Sequence, residues 1–328
     1  MRYLGSKTLL LSQIVKLVEG YGNQGILCDP FGGIGTVGSY MKSKGYRVIT
    51  GDILNFAHCF QIALIENNKI PEFLGVKREI GMENIEQYLN MQVSKKGWLV
   101  DEYAIKRKYF TEKNAIHIQG CINCINDWND RGILQTGEYE VLVASLIQSF
   151  DKVANTAGTY YAYLKNYYRK ANNTFRFLLI NPTDGKNECK AYLLDANELV
   201  KNQQCDILYL DPPYNARNYG RYYHLPETVS LGVEPIPQGK CGMYIYRKTE
   251  SAYNKKLKAT EAFIDIIDST RAKCVIFHYT DNGIINCGDA RDILQKKGIV
   301  DEFYFDCKGY NTAPGGKECQ HHIFRVLC

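Results

Sequence analysis

The 328 residues carry 40 lysines and arginines against 35 aspartates and glutamates, a formal net charge of +5, and 45% of them are hydrophobic. That length admits one large α/β unit or two domains, and the mild basic excess permits nucleic acid as a partner without the character of a histone-like tail. No apolar stretch approaches the roughly 18 residues of a spanning helix and the amino terminus lacks a signal-peptide core, which predicts a soluble, cytoplasmic protein without a membrane partner.

Arg2-Tyr3-Leu4-Gly5-Ser6-Lys7 leads into Leu10, Leu11, Ile14, Val15 and Val18, the spacing of an amphipathic helix with Ser6 as its N-cap. Gly22 and Gly25 end that pattern. Residues 26–29 read as a short buried strand, followed by a glycine turn, 30–38, and a helix to about Lys44. Gly33-x-Gly35-x-x-Gly38 matches the dinucleotide fingerprint in form, with Asp52 at the end of the next strand, from 47 to 50. An NAD-dependent oxidoreductase is therefore one reading. Against it, Asp29 and Pro30 intervene between strand and glycines, where a carboxylate repels phosphate. It attracts an ammonium instead, and S-adenosylmethionine carries that group and no phosphate. Asp52 can hold ribose hydroxyls in either scheme.

From Pro71 to Asn173 the chain is charged and tyrosine-rich, with helical periodicity over 111–128 and 138–153 and a helix start at Thr111. Lys106-Arg107-Lys108-Tyr109 and the run from Tyr160 to Lys170 interleave cations with aromatics. Such residues suit phosphate contacts and base stacking, or form a solvated face whose tyrosines pack inward. The twelve cysteines are scattered, which favours reduced thiols. Cys121 and Cys124 make one CxxC, and Ile118, Cys121, Ile125 and Trp128 fall on one helical face, so it reads as part of a core helix. His321 and His322 point to opposite faces of a last strand, and no metal is expected.

Beyond Asn173 short apolar runs return at 176–180, 191–194, 207–210, 274–278, 303–305 and 323–327, alternating with helices at 196–202, 250–269 and 290–297. Asp195 opens one of these helices, as an N-cap or a ligand. The run 207–210 stops at Asp211-Pro212-Pro213-Tyr214. The prolines cannot extend the strand and make the turn stiff, at the sheet edge where open α/β folds bind ligands. A carboxylate and a fixed carbonyl can hold both hydrogens of an exocyclic amine while Tyr214 covers a flat ring. These features describe a pocket for a nucleobase amine.

Together, the glycine turn and the Asp211-Pro212-Pro213-Tyr214 turn resemble the D12 class of adenine-N6 DNA methyltransferases of bacterial restriction-modification systems, in the alpha order with the cofactor motif first. The resemblance extends through Asn215-Ala216-Arg217-Asn218-Tyr219, Tyr223-His224-Leu225-Pro226-Glu227-Thr228, the central Asn155 to Tyr160 with Tyr163-Leu164-Lys165, and Phe277 to Gly283. It implies a Rossmann-like, S-adenosylmethionine-dependent mixed sheet with helices on both faces plus a mainly helical DNA-recognition insertion. The corresponding parts are 1–70, which binds cofactor, 71–173, which reads DNA, and 174–328, which is catalytic. With Met1 directly ahead of the first motif, no further domain is expected upstream.

The resemblance also assigns roles. Tyr3 and Lys7 would lie over the methionine end of the cofactor, Asp29, Phe31, Gly33 and Gly35 would form its pocket, Asp52 would hold the ribose, and Asp195 would sit near the adenine. Asp211, the Pro212 carbonyl, Pro213 and Tyr214 would grip the flipped target adenine at the cofactor's methyl. Lys106, Arg107, Lys108, Lys165, Arg169, Lys170 and Arg217 are candidate contacts to double-stranded DNA, and a cognate restriction endonuclease is a possible partner. The chain departs from the family where His278-Tyr279-Thr280 replaces the common Ser-Tyr-Asn and where Pro226 precedes Glu227-Thr228. Methylation of an amine in RNA or of a protein glutamine, and a non-catalytic DNA-binding role, are the alternatives.

Overall fold

Seven strands form one sheet among the residues described in the computed structural model, which are 1, 3–19, 25–244, 249–307 and 319–328. Arg2 and Gly22 lie outside them. The strands are β1 (Ile26–Asp29), β2 (Arg47–Asp52), β3 (Lys190–Leu193), β4 (Ile207–Leu210), β5 (Cys274–Thr280), β6 (Ile299–Cys307) and β7 (Cys319–Leu327), in the spatial order β3-β2-β1-β4-β5-β7-β6. The first five run parallel, and β7 pairs antiparallel to both β5 and β6. This is a mixed α/β sheet, parallel through β5 and closed by an antiparallel pair. Every residue of β4 and β5 is buried, which is why β4 and the first four residues of β5 read as apolar runs.

The chain divides into two compact units. One holds the sheet and comprises Lys7–Ile53, Thr183–Asn218 and Glu250–Cys328; the other comprises Met1–Ser6, Leu54–Pro182 and Tyr219–Thr249. Set against the expected insertion at 71–173, the second unit begins earlier, ends later and takes in a further excursion after β4.

In the sheet unit, the helix Lys256–Ser269 buries Ala259, Phe263, Ile266 and Ile267, the spacing of one helical face. Phe263 packs on Phe277 of β5 with ring centroids 4.4 Å apart. The first helix spans Leu11–Glu19, so Ser6 does not cap it. A backbone turn from Leu10 N–H to the Lys7 carbonyl, 2.8 Å, occupies the intervening residues.

The second unit is helical. Thr111 caps the helix Glu112–Asp130 by accepting the Asn114 N–H, and Cys121 is buried in that helix. The helix Glu138–Asp151 packs against it. Residues 176–180, expected as a strand, pair with no strand among the described residues. Their apolar pattern is real, since Phe175, Phe177 and Ile180 are buried. Side chains satisfy the backbone instead: Asn114, Asn90, Ser149, Glu86 and Ser145 accept the N–H groups of Phe175, Phe177, Leu178, Leu179 and Ile180.

Glu227 has a comparable task. Its carboxylate accepts the N–H groups of Asn55 and Phe56, both at 3.1 Å, and so caps the helix Asn55–Gln61, where Leu54 offers no side-chain cap. Replacing Glu227 by alanine is expected to cost about 1–3 kcal/mol of stability, with Glu227→Gln costing less, read from urea-denaturation midpoints.

Candidate active site

Strand order brings three acids together. β1 ends in Asp29, β2 in Asp52, and Asp211 follows β4; in the sheet β1 lies between β2 and β4. The direction of strand succession reverses between β1 and β4, the switch point at which open α/β sheets bind ligands. The glycine turn closes the same edge. Gly33 and Gly35 have φ of 51° and 82°, in the left-handed region that favours glycine. The Gly33 N–H donates to Asp52 Oδ2 at 3.1 Å, and Gly35 precedes the helix Thr36–Ser43.

Asp29 is 1% exposed, and its Oδ1 is buried with no hydrogen-bond partner among the described residues. Burial first, then the charges of Asp211 and Asp52, push its carboxyl up to about 8; the Phe31 N–H and Lys7 oppose the rise. Asp211 is also pushed up by burial, and here Lys7 is the counterweight. The Lys7 ammonium, 5% exposed, pairs directly with Asp211 Oδ2 across 204 residues of sequence. Such a buried pair is costly to break by removing one partner.

Around these acids, Phe31 meets Tyr253 edge-on with centroids 5.0 Å apart, and the Tyr253 hydroxyl donates to Asn197 Oδ1 at 2.9 Å. Asp195 accepts the Asn197 N–H at 2.9 Å and caps the helix Ala196–Asn202. Pro212 is buried, and Tyr214 is half-buried with its ring against the edge of Tyr279. Asn254 donates to the carbonyls of Asn215 and Arg217, at 2.8 and 3.0 Å, and fixes the chain just past the turn.

One buried polar row escaped the sequence reading. Tyr209 and Asp211 are two residues apart and share a sheet face. On it the Tyr209 hydroxyl meets His278 Nδ1 at 3.0 Å, and His278 Nε2 meets His321 Nδ1 at 2.8 Å. His322 faces the other side, against Glu302 at 2.9 Å. Burial, then the nearby Lys7, holds both His278 and His321 below the ordinary imidazole range, His321 at about 4. The departure from Ser at position 278 was the signal that could have found this row.

Tyr3 belongs to the helical unit. It stacks on Tyr223 at 5.0 Å and neighbours Phe56 and Tyr219. The candidate cations there differ in their commitments. Arg107, 13% exposed, binds Glu102 and the carbonyls of Gly239 and Lys240, and Lys106 pairs with Glu102. Lys108 reaches the Lys165 carbonyl, and Lys170 that of Asp151. Lys165 and Arg169 are exposed, as is Arg217 in the sheet unit. Tyr109 and Tyr160 are fully buried, so they pack inward.

A family model described as D12 class N6 adenine-specific DNA methyltransferase matches residues 3–281. The chain belongs to this family. Among its relatives, the type II methyltransferase M.FokI of Planomicrobium okeanokoites is 32% identical over 312 residues, covering 92% of this chain and 48% of that protein. The modification methylase StsI of Streptococcus sanguinis is 33% identical, over 92% of this chain and 47% of its own length. The chain thus spans about half the length of these two relatives. It covers 90% of the type II methyltransferase M.NlaIII of Neisseria lactamica, at 30% identity.

His278→Leu is expected to leave the Tyr209 hydroxyl and His321 without their partner and to cost about 1–3 kcal/mol in urea denaturation.

Proposed function

We propose that this D12-family chain transfers a methyl group from S-adenosylmethionine to N6 of an adenine turned out of duplex DNA, at a specific sequence and in the cytoplasm. The observation that carries this reading is the stiff Asp211-Pro212-Pro213-Tyr214 turn beside Asp29, whose buried Oδ1 lacks a partner among the described residues. That oxygen is suited to an ammonium, so the residues present fit the cofactor's amino-acid end. Asp52 suits its ribose, Phe31, Gly33 and Gly35 line the turn, and Asp195 retains one carboxylate oxygen beyond its cap. Lys7 and Tyr3 stay nominated for the methionine end. When bound, S-adenosylmethionine supplies an electrophilic methyl on a sulfonium.

The protein's task is then to make a poor nucleophile react. The lone pair of the adenine amine is delocalised into the ring. Asp211 and the Pro212 carbonyl can each accept one N6 hydrogen, which favours a tetrahedral nitrogen whose lone pair faces the methyl. Tyr214 can stack on the extruded base and recover part of the few kcal/mol that flipping costs. Positioning supplies most of the acceleration. Lys7 already engages Asp211, so the target amine shares that carboxylate with an ammonium.

Methyl transfer by Asp211→Asn, which keeps an acceptor at the position, is expected to fall more than about a hundredfold with the fold retained, assayed on DNA from a host lacking adenine methylation. Undiminished transfer would sink the assignment.

Asp29 gives a pH test. Its folded-state value near 8 lies above its unfolded one, so its burial favours the protonated form and its contribution to stability declines as pH rises from about 4 to 8. Pairing with an ammonium requires the ionised form, so cofactor binding expels a proton. Affinity is therefore expected to climb with pH toward 8, by at most about tenfold per unit, and Asp29→Asn is expected to flatten the slope in titration calorimetry.

Duplex DNA is the proposed partner of the helical unit, and a restriction endonuclease the proposed companion in the cell. Among the candidate cations, exposed Lys165 and Arg169 suit phosphate better than Arg107, which is committed internally. Alanine at Lys165 or Arg169 is expected to lower the salt slope of DNA binding by about one each. An unchanged slope would return them to a solvated surface.

A further inference from the structure

Tyr279 lies between the two departures His278 and Thr280, and its contacts converge on Tyr214. Along β5 side chains alternate. His278 faces Tyr209 and His321, while Tyr279 faces the opposite side with Phe277. The Tyr279 ring is 1% exposed, stacks on Phe277 at 5.0 Å and 21°, and meets the Tyr214 ring edge-on at 6.5 Å and 89°.

The hydroxyl of Tyr279 has a second task. It accepts the N–H of Ile285 at 3.0 Å, and the adjoining Ile284 N–H donates to the Tyr214 carbonyl at 3.0 Å. Gly283 lets this turn cross the ring closely, since a Cβ there would come within 2.0 Å of Tyr279 Cε1. One buried residue therefore touches the ring of Tyr214 and holds the turn that fixes its backbone. The two prolines stiffen the main chain before Tyr214, but they do not fix its side-chain torsions. Those are set by what the ring packs against.

We propose that Tyr279 is a positioning residue that orients the Tyr214 ring as the stacking platform for the extruded base. This rests on the methyltransferase reading above. Tyr279→Phe keeps the ring and loses the bond to Ile285, so the turn and the Tyr214 carbonyl lose their anchor.

The test uses the full chain, unmethylated DNA from a host lacking adenine methylation, and labelled S-adenosylmethionine in single turnover. Tyr279→Phe is expected to slow transfer roughly tenfold while cofactor affinity stays within about twofold. In a Tyr214→Leu background the same change is expected to cost less than about twofold, because its effect passes through the missing ring. An equal loss in both backgrounds, or no loss in either, overturns the proposal.

A second readout needs no turnover. With 2-aminopurine at the methylated position, identified by sequencing the modified DNA, the complex with Tyr279→Phe is expected to be brighter than that with the unaltered chain, as stacking loosens. Equal brightness overturns the proposal independently of any rate. Failure of the unaltered chain to methylate that DNA would instead refute the methyltransferase reading, and the proposal with it.

Discussion

Three carboxylates at the ends of neighbouring parallel strands are an unfavourable arrangement, and much of the sheet edge is organised around managing it. Asp29 is buried deeply enough to hold its proton near neutrality, Asp52 takes the Gly33 N–H, and Asp211 has the Lys7 ammonium. Each acid is relieved differently. The same crowding suits the edge to positive charge, because its acceptors are already desolvated and fixed in place.

The second device is rigidity around the half-buried ring of Tyr214. Pro212 and Pro213, the Ile284 N–H on the Tyr214 carbonyl and the Asn254 amide on the following carbonyls restrain one short segment from three directions. Loops that carry chemistry are otherwise the mobile part of a fold. Here the loop is tied to β5 and to the turn Ala252–Asn254, elements distant in sequence.

The sheet was largely legible because its signals are local. An all-apolar run stopped by Asp-Pro-Pro, or a glycine turn after Asp29, needs no knowledge of the rest of the chain. What was illegible depends on distant partners. Nothing near Lys7 announces Asp211, and nothing near His278 announces His321. Residues 176–180 read as an apolar run like those of the strands, yet helical side chains hold their backbone, which a local pattern cannot foresee. Arg107 looked available for phosphate because its neighbours are basic; its actual partners are Glu102 and a loop more than a hundred residues away.

The pairing of β1 with β4 also bears on how the molecule is made. Ile26 and Asp206, 180 residues apart, bond to each other through backbone and side chain, and Leu27 pairs with Ile207 just beyond. During synthesis β1 emerges early but waits for the helical stretch and β3 before its central neighbour exists. The ordering entropy of that closure is spent late, after local helices have formed. Leu27 and Cys28 therefore stay unpaired on one side until β4 has been made, an interval in which that sheet edge is open to non-native pairing.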